Sequence, residues 1–299
     1  MDNRTEIRTF LTTRRAKITP DRAGLPVYGG NRRVTGLRRE EVAMLAGVSV
    51  DYYTRLERGN LSGVSEGVLE ALARALQLDD AERVHLFDLA RTANTSGTVA
   101  RSRRRPGGGH VRPGVQRILD AMTTAPAYVR NGRLDVLAAN RLGRAVFAPL
   151  FTDPARTPNI ARFIFLDPAA RDFYVDWNQL AGDTVALLRG EAGHDPYDRA
   201  LTDLIGELST RSDMFRTWWA AHNVRLHRTG VKRLHHPLVG ELVLAYESMD
   251  LTADQGLRLN AYSAEPGSPS QDGLNLLASW TATPDQPAGS LSQSEIDRG

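Results

Sequence analysis

Apolar residues recur through the first ninety positions at helical spacing. Ile7, Phe10 and Leu11 share one face of residues 6–17. Val68, Leu69, Leu72, Ala75 and Leu76 fall at i, i+1, i+4, i+7 and i+8, the stripe of a helix packed on a core. Further helices are expected over residues 37–46, 49–58, 65–76 and 80–91. Asp79 with Glu82 three residues on has the spacing of a capping box for the last of them. A polar, glycine-containing connection fills 19–36.

The period is lost between Thr95 and Gly114. Arg101-Ser-Arg-Arg-Arg105, Pro106-Gly-Gly-Gly109 and Pro113-Gly114 predict a flexible basic linker, with a DNA-backbone arm as the competing reading. Beyond it, residues 126–130 and 133–138 alternate across Asn131-Gly132, a strong hairpin signal. A helix with Leu142, Ala145 and Val146 inward comes next. Asp167-Pro168 and Asp195-Pro196 each supply a helix start. They lead into the stripes Phe173, Trp177, Leu180, Ala181, Val185, Leu188 and Leu201, Leu204, Ile205, Leu208. A shorter helix carries Phe215, Trp218 and Trp219. Strands return near 224–236, 241–249 and 257–264, before a last helix with Leu274, Leu277 and Ala278. The expected architecture is multidomain. An all-α domain spans 1–94, a linker 95–114, and a mixed α/β domain with an antiparallel sheet and inserted helices 115–282. Residues 283–299 have no apolar period and are expected to be disordered.

Composition changes this picture in two ways. There are no cysteines among the 299 residues, which excludes disulfides, thiolate metal sites and cysteine nucleophiles. Residues 1–105 hold 19 Arg and Lys against 13 Asp and Glu, whereas the remainder holds 19 against 22. A basic head on a mildly acidic body points to a polyanion partner for the head. The N-terminus has no signal-peptide core and no stretch approaches a membrane span, so a soluble, cytoplasmic protein is expected.

Residues 37–59 carry the chemistry. Gly47 can take the positive φ that ends one helix, Val48 plugs the corner, Ser49 caps the next helix and Leu56 buries its far end. Such a helix-turn-helix presents the first turn of its second helix to a DNA major groove. Base contacts are expected from Val50 to a thymine methyl, Asp51 to cytosine, Tyr52, and Arg55 to guanine. Asp51 at a helix start can instead serve the helix dipole. Tyr53 and Leu56 are expected in the core, and Glu57 on Arg14 or Arg15 of the first helix. Arg32, Arg33, Arg38, Arg39 and Ser49 are expected at phosphates.

These residues resemble the lambda-repressor-like (XRE) helix-turn-helix family over about 5–92. The family pattern stands as Glu40-Glu41-Val42-Ala43, Gly47-Val48-Ser49 and Glu57-Arg58-Gly59. Arg39 replaces the glutamine that many members carry, so amide readout of adenine is lost there. Residues 134–147, 199–209 and 230–237 resemble the MmyB-like, PAS-type ligand-binding domain of bacterial regulators over about 115–281. The resemblance implies a transcriptional regulator with a cavity for a small apolar, fatty-acid-like ligand. Phe163, Phe165, Phe173, Trp177, Phe215, Trp218 and Trp219 are expected to line it, with plain core as the competing reading. His227, Arg233 and His235 are expected to anchor a ligand carboxylate.

His235 and His236, with His222 and His227, give a weak metal signal, because adjacent strand histidines face opposite ways. No metal, no cofactor and no catalytic residue are expected, since GxSxG, HExxH and GxGxxG are absent. The partners expected are double-stranded DNA, a second copy of the chain and the small ligand. Two other readings stay open: an enzyme or carrier localised by a DNA-binding head, and a regulator whose second domain binds protein.

Overall fold

A computed structural model describes residues 3–25, 34, 36–95, 111–195, 198–220 and 229–282. Most of the expected linker (96–110), the tail (283–299), Arg32, Arg33, His222 and His227 lie outside the described residues.

The head is helical: α1 (Asn3–Lys17), α2 (Arg39–Leu45), α3 (Val50–Glu57), α4 (Glu66–Ala75) and α5 (Asp80–Thr95). Each helix turns its apolar stripe to one core, where Ile7, Phe10, Leu37, Leu56, Leu72 and Leu86 lose all solvent contact. Each such side chain contributes about 1.5–3 kcal/mol of burial. The Asp79 carboxylate accepts from the Glu82 N–H at 2.8 Å, and Glu82 accepts from the Asp79 N–H at 3.2 Å. That is the expected reciprocal cap of α5. One connection in the head is fixed by backbone geometry. Gly47 ends α2 at φ +66, and the Val48 N–H reaches the Ala43 carbonyl at 2.9 Å.

In the second part, Pro113-Gly114 opens a helix where linker was expected: α6 (Pro113–Ala121). Proline suits the first helical turn, and Val115 and Leu119, one turn apart, supply a buried stripe. Then follow β1 (Ala127–Arg130), β2 (Val136–Ala139), α7 (Arg141–Val146), α8 (Ile160–Leu166), α9 (Ala169–Phe173), α10 (Trp177–His194), α11 (Arg199–Arg211), α12 (Asp213–Ala220), β3 (Thr229–His236), β4 (Gly240–Asp250), β5 (Arg258–Ser263) and α13 (Pro269–Ala282). The antiparallel sheet has the order β2-β1-β5-β4-β3. One face carries Tyr128, Leu234, Leu242, Leu244, Tyr246 and Tyr262 into the core shared with α7–α12. On the other face α6 packs on Ala127, Val129 and Leu259.

The β1–β2 hairpin forms, but not as a two-residue turn. Asn131 closes a wider loop by accepting the Asp135 N–H at 3.0 Å. The left-handed residue is Leu134 at φ +67, not Gly132. Burying the Leu134 side chain, 2% exposed, offsets a conformation that non-glycine residues disfavour.

The two parts meet along α10, whose C-terminal half packs on α1 and α5. Arg189 is wholly buried at this seam. Its Nη1 donates to the Glu6 carboxylate at 2.7 Å, its Nη2 donates to the Trp219 carbonyl, and its guanidinium lies 4.0 Å from the Trp219 ring centre. Beside it His85 is buried edge-on to Phe10, with ring centres 5.0 Å apart. Gly193 lies so close that a Cβ there would meet the His85 ring at 2.4 Å.

Candidate DNA interface and ligand cavity

The first candidate site is the uncovered end of α3. Ser49 accepts the Tyr52 N–H at 3.1 Å and so starts the helix. Val50, Asp51 and Arg55 are exposed, Tyr52 is half-buried, and the Arg55 guanidinium lies 5.1 Å from the Tyr52 ring centre. This contact holds Arg55 along the helix surface. Tyr53 and Leu56 point inward and are fully buried.

Behind them Glu57, 2% exposed, ties three helices together. Arg15 of α1 donates to it at 2.6 Å, Arg39 of α2 donates to its other oxygen, and Tyr53 donates at 3.4 Å. The expected pairing of Glu57 with α1 therefore falls on Arg15, while Arg14 bonds to Glu82. Arg39, expected at phosphate with guanine also within its reach, is in addition tied to Glu57. Its Nε is committed to Glu57, and its side chain stays half exposed. Arg38 is exposed and pairs with Glu40 at 3.3 Å. Sequence spacing did not reveal three further arginines. Arg4 and Arg58 line one shallow groove with Asp51, Thr54 and Arg55, and Arg8 and Arg58 line another with Arg39 and Glu57. Arg4 and Arg8 come from α1, so only the fold brings them beside α3.

The second candidate site is a cavity of about 150 Å³ between the sheet and the stretch of α10 from Gln179 to Leu187. Tyr128, Arg130, Lys232, Tyr246 and Asn260 line it from the strands, and Gln179, Leu180, Asp183, Thr184 and Leu187 from the helix. Lys232 donates to the Tyr262 hydroxyl at 3.2 Å and lies 5.2 Å from the Tyr246 ring centre. Burial pulls the Arg130 guanidinium pKa below its ordinary value and pushes the Tyr174 and Tyr262 hydroxyls up.

The apolar lining expected from sequence is displaced. Phe163, Phe173, Trp177, Phe215 and Trp219 are buried in the core, and Phe165 and Trp218 pack against it. None of the seven lines the cavity. Helices α8–α12 turn their aromatic stripes on one another, as where Phe165 of α8 meets Phe215 of α12 edge-on with ring centres 5.1 Å apart. Of the expected anchors, Arg233 does line the cavity, held by Asp176 at 2.6 and 2.8 Å. His235 is exposed and does not line the cavity, and His227 lies outside the described residues. His236 is structural: its Nδ1 accepts the Leu238 N–H at 3.2 Å and its Nε2 lies 3.1 Å from the Ala145 carbonyl. The lining is amphipathic, not apolar. Among the described residues there is no cluster of metal-ligating side chains, and no helix is long and apolar enough to cross a membrane.

Comparison with known families agrees with this division. A helix-turn-helix domain model matches residues 11–86, and a model described as the MmyB-like transcription regulator ligand binding domain matches residues 111–277. No curated protein matches the chain. A helix-turn-helix head, a cavity-bearing sheet domain and a family match over more than half its length make this chain a member of the MmyB-like transcription regulators.

Proposed function

We propose that the chain acts as a homodimer on a palindromic operator, and that a small molecule in the second domain modulates its affinity for that operator. The observation that carries this reading is the exposed start of α3, ringed by arginines from α1, α2 and α3. In this reading Val50, Asp51, Tyr52 and Arg55 meet base edges in the major groove. Arg38, Ser49 and the outer nitrogens of Arg39 take phosphates, joined by Arg4, Arg8 and Arg58. Two-fold symmetry follows from the modest affinity of one small module and the economy of paired half-sites.

Helix α10 supports the modulation. Its stretch from Gln179 to Leu187 walls the cavity through Gln179, Leu180, Asp183, Thr184 and Leu187, while its last turns bear Arg189 and Gly193 on the seam. A molecule that displaces that stretch acts on the last turns through one rigid helix. The seam uses α1 and α5 and leaves the start of α3 uncovered.

The test is operator selection with the full chain, followed by titration of two variants. Arg55→Ala is expected to lower affinity by about 10- to 100-fold and to relax preference at one base step, as loss of a bidentate base contact does. Arg58→Ala is expected to weaken all sequences alike and to flatten the log K against log salt slope by about one. With about six phosphates contacted, the parent slope is about −5. If both variants footprint the operator as the parent does, α3 is not the reading helix.

A further inference from the structure

The face of the sheet that turns away from α10 is only half covered. Register carries that face across the strands: Val129 of β1 pairs with Leu259 of β5, and Leu259 with Met249 of β4. Directly opposed residues share a face. Met249, Glu247, Ala245 and Val243 therefore lie on the side where α6 packs on β1 and β5. Over β4 that side is open. Val243, Ala245 and Met249 are exposed, whereas the alternating Leu242, Leu244 and Tyr246 are buried in the core. The strip runs on to β3, where Val231 stands opposite Ala245 and is also exposed. Helix α6 spends Val115 and Leu119 on the sheet and leaves Ile118 59% exposed beside Arg117. A single exposed apolar residue is ordinary, but a contiguous strip bordered by charges marks an interface.

Charge and position name what covers it. Arg117 has no ion pair among the described residues, and Glu241 and Glu247 stand exposed on either side of the β4 strip. The molecule thus carries both halves of one contact, a helix with an apolar knob and a guanidinium, and an apolar strip with carboxylates. A surface holding both halves is self-complementary, as a two-fold interface requires. The head supplies the direction of the axis. Helix α6 starts at the β4–β5 turn, where Arg112 pairs with Asp254 at 2.8 Å. The β1–β2 loop lies at the same end of the sheet, because Arg130 and Asp250 both pair with Arg258. Helix α10 reaches that end with Glu191 against Gly132, and its last turns carry the head. A two-fold along the strands projects both heads from one end, as paired half-sites about 34–36 Å apart demand.

We infer that a second copy of this chain covers the strip: α6 of each copy packs on β4 of the other, with Ile118 against the partner's Ala245 and Met249 and Arg117 on the partner's Glu247. The inference rests on the homodimer of the proposed function and gives that dimer its interface. Apolar contact at the centre and charges at the rim are the usual anatomy of such a surface. The α10 seam lies on the other side of the sheet and stays uncovered by this contact.

Equilibrium sedimentation of the full chain over a range of concentrations tests this. The parent is expected to dimerise, and Ile118→Glu to raise the dimer dissociation constant by about 30-fold or more, as loss of an interface anchor does. Leu276→Glu alters a similarly exposed apolar residue of α13, outside the strip, and is expected to leave the constant unchanged. Arg117→Glu and Glu247→Arg are each expected to weaken the dimer, and the double variant to restore it. The two residues do not pair within one chain, so rescue reads a contact between copies, which a folding failure cannot imitate. A dimer that Ile118→Glu leaves intact, an equal loss in Leu276→Glu, or a double variant no tighter than the single ones overturns this interface while the homodimer stands. A parent that stays monomeric at every concentration overturns the homodimer reading and the interface with it.

Discussion

At the scale of single residues, similar side chains in this protein do different work because of what the fold places beside them. Arg55 and Arg39 both lie in the motif, yet Arg55 lies along its own helix against Tyr52 while Arg39 is tied to Glu57. Glu57 is the knot of the head, a buried carboxylate reached by donors from α1, α2 and α3. Removing it strands the Arg15 guanidinium, 14% exposed, in a partly buried place. Glu57→Ala is expected to cost about 2–4 kcal/mol, below the full penalty for breaking a buried pair because Arg39 is half exposed. The urea midpoint of the head's unfolding checks it. An unchanged midpoint would mean the three donors find other acceptors. Of this knot the sequence disclosed the α1 partner by charge alone. It did not disclose the sharing with Arg39, because both arginines are many residues from Glu57 and nothing local links them.

At the scale of elements, α10 is the part whose role the sequence left unread. Its stripe from Trp177 to Leu188 was legible as a buried helix, since burial on one face imposes a period near 3.6. That one end would wall a cavity and the other would carry Arg189 into the head was not, because a periodic pattern does not name the partner. The same limit moved the aromatic residues. Phe163, Phe215 and Trp219 read equally well as core or lining, and helix-on-helix packing made them core. The strand residues that do line the cavity, Arg130 and Lys232, carried no pattern that marks a site. Gly193 tests the seam. A methyl group there collides with the His85 ring at 2.4 Å, and that ring is locked between Phe10 and the helix. Gly193→Ala is expected to destabilise the seam by about 1–3 kcal/mol, as overpacking does. Hydrogen exchange should then quicken in residues 186–194 and 82–90 while β3–β5 keep their protection. Equal protection in parent and variant would show that the seam yields without opening.

At the scale of the whole molecule, the seam should make the two parts respond together to acid. Burial lowers the His85 pKa from 6.5 to about 4, with Glu6 pulling it partly back. The unfolded chain therefore takes up a proton in this window before the folded one does. Stability from this group is complete above about pH 6.5 and is lost as the pH falls towards 4, by at most roughly 3 kcal/mol. Denaturation followed at steps between pH 7 and pH 4 checks the prediction, and His85→Leu is expected to flatten that slope. A variant as acid-sensitive as the parent would assign the loss to other groups.

The sequence by itself determined the division into a basic helical head and a sheet-bearing body, the helix-turn-helix, and the family. Each of these rests on local patterns: the helical and strand periods, the turn at Gly47, the caps at Ser49 and Asp79. Tertiary structure alone decided which arginines flank α3, which side chains line the cavity, and that Arg189 joins the two parts. The physical reason is range. Backbone propensity and capping act within a few residues, whereas a cavity and a buried ion pair are defined by groups up to 183 positions apart, as Glu6 and Arg189 are.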